Sequence, residues 1–585
     1  MAKFPKKASF IIYPTYTDIF KNGQEEILAQ LSIQGLAEKF IVFTTSLSAL
    51  LYASHIKGMY VQEKIMIEFK DVICNTTDGH AILNWLISND LKTLNFNNFT
   101  LMELYCILLK HKKGECIDTS MSVDEKLTYL KLLFIANEKR LNKPNDFHNN
   151  LISITPDDKF SYEKMFWPLL LPETDVNEAI RLEYEMYRLK CFIEEIEKEY
   201  PNASYTIDAF FQERGYENYS SYASALSFMF LDYITCYTNH HVLKAGIKES
   251  EQTHKLFAPL MVNNITIKSY LELKTHPVYY YNGAYYVLHW NYFLSQIFLG
   301  TFMALKERLN KAGFQNIKKT SGLIIEKTLF RNVLTISFSR YWQRALFDDE
   351  SKGKPDAMFK IGNHLFIIEL KDSLMSENVM ESLDYKSIEN HIIRTFIQSE
   401  GKRKAIQQLV AYIEKYENNE YENVGFPYNK RLNIYPLIIY TDYKYKINGL
   451  NHFLSVKMRE LVNQRDIEES TKQRIRPLTV IGLDCMFNLQ LKFQDKILKF
   501  ADVIDKYHRH IKTMKKKYED KGVELFSKLY PSFDRYLPEN RNILMPYNEI
   551  QPILKYFFNI ENTEKMIKAD LKNRRGLMAD VKYNL

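Results

Sequence analysis

The sequence predicts a mixed α/β core set between a mainly helical N-terminal region and a helical C-terminal one. Three observations carry that reading. Short β-branched and aromatic runs cluster between about 320 and 485. Stripes of apolar residues three and four apart lie between and around those runs. A polar Gly362-Asn363-His364 turn joins two of the runs into a hairpin.

Taken in order, Lys39 to Phe43 is an apolar run that reads as an α/β beginning to the N-terminal region. Asp175 to Tyr200 carries Ala179, Leu182, Met186, Leu189, Ile193 and Ile196 at helical spacing before Pro201 stops it. Tyr279 to Val287 is an aromatic hairpin around Asn282-Gly283. The uncharged stretch that follows, Trp290 to Leu305, would span about 24 Å as a helix, short of the roughly 30 Å hydrocarbon core. It reads as a buried helix rather than a membrane span. Ser321 to Val333 is expected to be a helix with Leu323, Phe330 and Val333 on one stripe, and Glu326 falls on that stripe. Leu334 to Phe338 reads as a first strand, and Lys354–Phe359 and His364–Lys371 as the next two. Gly401 to Tyr416 is a helix with Ala405, Leu409, Ile413 and Tyr416 on its apolar side. Leu432–Tyr440 and Leu478–Leu483 are strand-like, and a last stripe runs from Ile497 to Tyr518. Polar stretches near Glu251 and Tyr518 divide the chain into 1–255, a sensor, recognition or assembly region; 256–518, the α/β domain; and 519–585.

The chemistry concentrates in Pro355-Asp356 and Glu369-Leu370-Lys371. A strand turns alternate side chains to opposite faces, so Glu369 and Lys371 point the same way. The turn between the strands brings Asp356 alongside them. Two carboxylates and an ammonium at the end of an apolar sheet are costly unless something occupies the gap. A divalent cation suits two hard oxygen ligands, and the lysine would sit where a phosphate oxygen or attacking water needs positive charge. An ordinary turn aspartate and a same-face ion pair are the competing explanations. Pro156-Asp157 lies in a polar run with no acid-x-Lys after it, and Glu272-Leu273-Lys274 has no aspartate near enough to join it.

Pro-Asp, a spacer and Glu-x-Lys, followed by Gln408-x-x-x-Tyr412 on the next helix, resembles the PD-(D/E)xK nuclease superfamily in its RecB-like branch. The resemblance covers about 320–485. It implies a restriction-endonuclease-like core of helix, three strands, helix and strand. It also implies a Mg²⁺ or Mn²⁺ held by Asp356, Glu369 and the Leu370 backbone carbonyl, with Glu326 as a further metal-oriented acid. Asp356, Glu369, Lys371 and Gln408 would be catalytic, and Tyr412, with Arg403 and Lys404, would bind substrate. The implied activity is hydrolysis of phosphodiester bonds, of DNA by analogy with the superfamily. A nuclease joined to a large module without a motor fits antiviral or restriction-like defence, with a homo-oligomer or partner protein. The alternative is a catalytically silent nuclease fold serving as a nucleic-acid-binding or assembly module.

Composition narrows the classes. At 585 residues, 46% hydrophobic and 14% aromatic, the chain has ample core material and is not a disordered polypeptide. A net charge of +7, from 78 basic and 71 acidic residues, permits nucleic-acid binding without demanding it. The six cysteines have no Cys-x-x-Cys pairing, which suits a reducing, cytoplasmic setting. His240-His241 and His508-x-His510 lack companion ligands, and the apolar run Ala8–Tyr13 is too short for a signal peptide. No Walker loop, dinucleotide fingerprint or internal repeat occurs. Lys506, Arg509, Lys512, Lys515, Lys516 and Lys517 form a basic outer face on the last stripe, either a solvated surface or a phosphate-contacting strip.

Overall fold

The structure, a computed structural model, describes residues 14–57, 67–89, 98–141, 178–226, 246–262, 270–347, 353–399, 401–518 and 530–541, with short breaks inside these stretches, and Phe160, Glu163, Lys164 and Trp167. Ala8–Tyr13, Pro156-Asp157 and His240-His241 lie outside them.

Helices α1 (Leu36–Lys57), α2 (Asn98–His111) and α3 (Val123–Leu141) pack around Phe40, Ile41, Leu104, Leu108 and Leu133. The run Lys39–Phe43 is therefore helical and not a strand. Five residues are too few for periodicity to choose between the two, and burial of Ala37, Phe40, Ile41 and Thr44 at spacings of three and four decides it. Helix α4 (Glu178–Glu199) ends just before Pro201, as expected. Its Leu189, Phe192 and Ile196 join a core that also contains Ile207, Phe257 and Val333, so one core runs across position 255.

Strands β1 (Gly246–Lys248), β2 (Val278–Tyr281) and β3 (Ala284–Val287) form an antiparallel sheet in the order β1-β3-β2. Asn282 and Gly283 both have positive φ (46° and 72°), the tight turn that matches the twist of the strands. The helical segment after the hairpin runs from Trp290 to Lys311 with a π-helical turn at Gln296–Gly300. Among the described residues no helix is long and apolar enough to cross a membrane.

The expected helix at Ser321–Val333 exists but continues as α5 (Arg331–Phe338), so Leu334–Phe338 is not a strand. Val333, Leu334, Ser337 and Phe338 are the buried residues, a helical spacing, and the Ser337 hydroxyl donates to the Val333 carbonyl four residues back at 2.7 Å. Preceding α5, Ile324–Phe330 winds as a π-helix. Its i→i+5 hydrogen bonds give a longer repeat than the 3.6 residues of an α-helix.

The first strand of the main sheet is instead β4 (Arg344–Phe347). It is followed by β5 (Ala357–Ile361) and β6 (His364–Lys371), then by α6 (Tyr385–Phe396), the two-stranded ribbon β7 (Gln398–Ser399) and β8 (Lys402–Arg403), and α7 (Ala405–Glu417). Next come β9 (Asn433–Tyr440), α8 (Leu450–Asn463), β10 (Thr479–Gly482), α9 (Leu483–Gln494), α10 (Phe500–Tyr518) and α11 (Phe533–Arg541). The sheet order is β10-β9-β6-β5-β4, antiparallel from β4 to β6 and parallel from β6 to β10. Gly362, with φ of 58°, opens the two-residue turn that pairs Ile361 with His364.

Helices cover both faces of this mixed sheet. Phe366, Ile368 and Leu370 of β6 face side chains of α4, α5, α9 and α10, including Tyr184, Leu334, Phe487 and Ile504. Leu365 and Ile367 face α6, α7 and α8, including Ile388, Leu409 and Leu454. Helix α10 starts at Phe500 rather than Ile497. Ile497 is 69% exposed, and Leu498 takes the buried place.

Candidate active site

The β5–β6 hairpin dictates where the acids go. Ala357 pairs with Ile368, so one step further along the antiparallel register sets Asp356 against Glu369. Residues directly opposite in such a pair project to the same face. Alternation along β6 puts Glu369 and Lys371 on the face of Leu365 and Ile367, the side covered by α7. The next strand pair is parallel, with Glu369 beside Ile438 and Lys371 beside Tyr440, so the group stands at the carboxyl end of the parallel strands. That end is where α/β sheets commonly bind ligands.

The side chains meet there. The Lys371 ammonium donates to Glu369 Oε1 at 2.7 Å and to Gln408 Oε1 at 3.2 Å. The Leu370 amide donates to Asp356 Oδ2 at 2.5 Å. The Glu369 side chain is 3% exposed and that of Lys371 15%. Tyr412, one turn beyond Gln408 on α7, is buried and hydrogen-bonds with the Gln408 side chain. Burial first, then the Glu369 and Asp356 carboxylates, push the Tyr412 phenol far above its usual range. Five side chains expected together from the sequence thus come together. Arg403 is exposed on β8, and Lys404, half-buried, stands one helical turn ahead of Gln408, its backbone carbonyl accepting the Gln408 backbone amide at 2.9 Å. Glu326 lies in the π-helical turn, and its side chain is outside the described residues.

The donor set suits a hard cation. Two carboxylates share one face, and two further steps of register set Pro355 opposite Leu370. Proline has no N–H to give, so the ladder does not claim the Leu370 carbonyl, while Asp356 takes the Leu370 amide. Carboxylates and a carbonyl are what Mg²⁺ binds. Among the described residues no group of three or more His, Cys, Asp or Glu gathers around one point. Glu272-Leu273-Lys274 lies on the helix Tyr270–Thr275, where residues two apart do not share a face. His508 contacts the Thr479 hydroxyl at 2.8 Å.

A second layer was not anticipated from the sequence. The Thr441 amide donates to the Lys371 carbonyl at 3.2 Å, and its hydroxyl to Asp372 Oδ1 at 2.7 Å. The Met375 amide donates to Asp442 Oδ2 at 2.8 Å, and buried Lys444 donates to the Met375 carbonyl at 3.1 Å. Thr441-Asp442-Tyr443-Lys444, directly after β9, thereby clamps the segment leaving Lys371. Its only signal in the sequence is a polar run closing an apolar strand, which every turn supplies. The basic face of α10 lies across the sheet from this group, since Tyr435 on the opposite face donates to Asp505 at 3.1 Å. Compared with known proteins, the chain matches no family model, no curated protein and no solved structure.

Proposed function

We propose that the chain is a metal-dependent nuclease, a PD-(D/E)xK enzyme of the RecB-like branch whose restriction-endonuclease-like core is the five-stranded sheet with α5 and α7. One observation carries the reading: Asp356 at the entry to β5, Glu369 and Lys371 on β6, and Gln408 and Tyr412 on α7 converge at one strand end. Asp356, Glu369 and the Leu370 carbonyl would hold Mg²⁺ or Mn²⁺, with Glu326 on the preceding helix as the further acid. Such an ion, when bound, acidifies a water and polarises a phosphate.

The chain's own residues do the rest. Lys371 presents an ammonium to a phosphate oxygen gaining charge, or to the water that attacks it. Gln408 accepts from that ammonium and fixes its direction. Tyr412 stays protonated across the physiological range, so it serves as a hydrogen-bond partner and not as a base. DNA is the substrate the resemblance favours, and antiviral or restriction-like defence in the cytoplasm, alone or with a partner protein, is the role.

The test is cleavage of linear, circular and single-stranded DNA and of RNA with Mg²⁺, Mn²⁺ or EDTA, comparing wild type with Glu369→Ala and Lys371→Ala. Metal-dependent cutting that both substitutions abolish supports the nuclease. Well-folded wild type that cuts none of these, and binds no Mg²⁺ by calorimetry, leaves the silent-module alternative.

A further inference from the structure

The segment between Glu369 and Gln408 carries charge that the group of five does not use. On α6, Tyr385, Ile388, Ile392 and Phe396 are buried on the α7 side of the sheet. Lys386, Asn390 and Arg394 are exposed and four apart, so they form one line along the outer side. The ribbon β7–β8 follows after a single residue and exposes Lys402 and Arg403. Both ends of the stretch are anchored. Asp384 caps α6 by accepting the Ser387 amide at 2.9 Å, and the Lys404 amide closes the ribbon onto the Ile397 carbonyl at 3.1 Å. Gln407 of α7 donates to Gln398 of β7 at 3.3 Å, which ties the ribbon to the helix that carries Gln408. From 386 to 404 there are five basic residues (Lys386, Arg394, Lys402, Arg403, Lys404) and two acidic ones (Glu389, Glu400).

We infer that Lys386, Arg394, Lys402 and Arg403 form the track that holds the phosphate backbone of the nucleic acid whose strand reaches Asp356 and Glu369. The inference rests on the nuclease reading and names where its substrate lies. Twelve residues of α6 span about 18 Å, roughly five phosphate steps along one strand of a duplex. Backbone contacts need charge and spacing but no base edge, so the track binds without sequence preference. Its covalent continuity with Gln408, on the same side of the sheet, distinguishes it from the basic face of α10. That face carries the same charge but looks away from Lys371.

The test uses the full chain in EDTA and a fluorescein-labelled 30-mer DNA, duplex and single-stranded, by anisotropy between 50 and 200 mM NaCl. Variant one is Lys386→Gln/Arg394→Gln/Lys402→Gln/Arg403→Gln. Variant two, Lys506→Gln/Arg509→Gln/Lys512→Gln/Lys515→Gln, removes the same charge from α10. The first should bind at least about tenfold more weakly, with the slope of log K against log salt reduced by about 3 to 4, or roughly 0.9 per lost phosphate contact. The second should bind as wild type does. Equal loss in both, loss in the second alone, or no loss in either overturns the track, as does wild type that binds neither DNA. All the replaced side chains are exposed, and unchanged melting temperatures confirm folding. The pair Lys402→Gln/Arg403→Gln gives a smaller loss in the same direction should the fourfold variant melt early. The two readings fail separately. Binding lost in the first variant of a protein that never cuts keeps the track and removes the catalysis. Cutting unchanged in that variant at DNA concentrations well below Kd keeps the catalysis and removes the track.

Discussion

Lys371 is the residue on which the local electrostatics turn. Its ammonium faces a carboxylate that is 3% exposed, with Asp356 and the Tyr412 phenol close by. Removing one partner of a buried pair leaves an uncompensated charge, a loss of about 3–5 kcal/mol. Lys371→Met should therefore unfold at lower urea than wild type, and Mg²⁺ should restore part of the difference by supplying positive charge. Urea unfolding with and without Mg²⁺ checks this, and a variant as stable as wild type in EDTA would refute it. His508 gives a pH dependence with a definite sign. Burial lowers its imidazole to about 4, and its Nε2 lies 2.8 Å from the Thr479 hydroxyl. The unfolded chain takes up that proton near pH 6.5 and the folded chain only near 4, so stability is full above 6.5 and declines as pH falls through that window. At pH 5 the loss from this group is about 2 kcal/mol. His508→Gln should be visibly less acid-sensitive between pH 7 and 5 in parallel unfolding curves.

At the scale of elements, the clamp after β9 makes a separate prediction. Asp442 and Lys444 hold Met375 and hence the exit from Lys371. Asp442→Asn keeps the size of the side chain but weakens an acceptor of the Met375 amide. Outer partners of this kind change activity by about 10- to 100-fold. The expected result is a fall in kcat with KM for DNA nearly constant and melting lowered by a few degrees. A variant that loses stability but keeps full kcat would show the clamp to be structural only. The elements themselves were unequally legible. Asp356, Glu369, Lys371, Gln408 and Tyr412 could be placed because strand alternation and the i, i+4 helix spacing are local rules that the structure follows. Leu334–Phe338 misled because a short apolar run fits both periods, and the true first strand, β4, is an edge with Arg344 and Ala345 exposed and so shows no apolar alternation. The π-helical winding of Ile324–Phe330 was not legible either, since such a turn leaves no composition signature. The clamp escaped because its meaning depends on β9 lying beside β6, which no local pattern encodes.

The whole molecule depends on how the N-terminal helices attach to the sheet domain, and one buried acid marks the joint. Glu38 on α1 is 2% exposed. It accepts the Tyr279 hydroxyl at 2.5 Å from β2, the Cys116 amide at 2.6 Å, and the Lys112 ammonium at 2.9 Å. Side chains of the hairpin divide between two cores. Tyr279 and Leu288 belong with the α1–α3 bundle, while Val278, Tyr285 and Val287 belong with α4, α5 and the sheet. The hairpin is therefore shared material, and neither side can separate without exposing part of it. Tyr279→Phe keeps the ring and deletes only the hydroxyl, one of two donors to Glu38 Oε1, a hydrogen bond to a charged group worth about 1.5–3 kcal/mol. Because the lost bond lies between the bundle and the sheet domain, the destabilisation should not be spread evenly. In wild type both parts should unfold in one urea transition. In Tyr279→Phe, amides of α1–α3 should exchange earlier than those of β5, β6 and β9, with proteolysis starting in the bundle at a urea concentration that leaves the sheet protected. Uniform loss of protection across both parts would mean that the hairpin joins them through apolar packing alone.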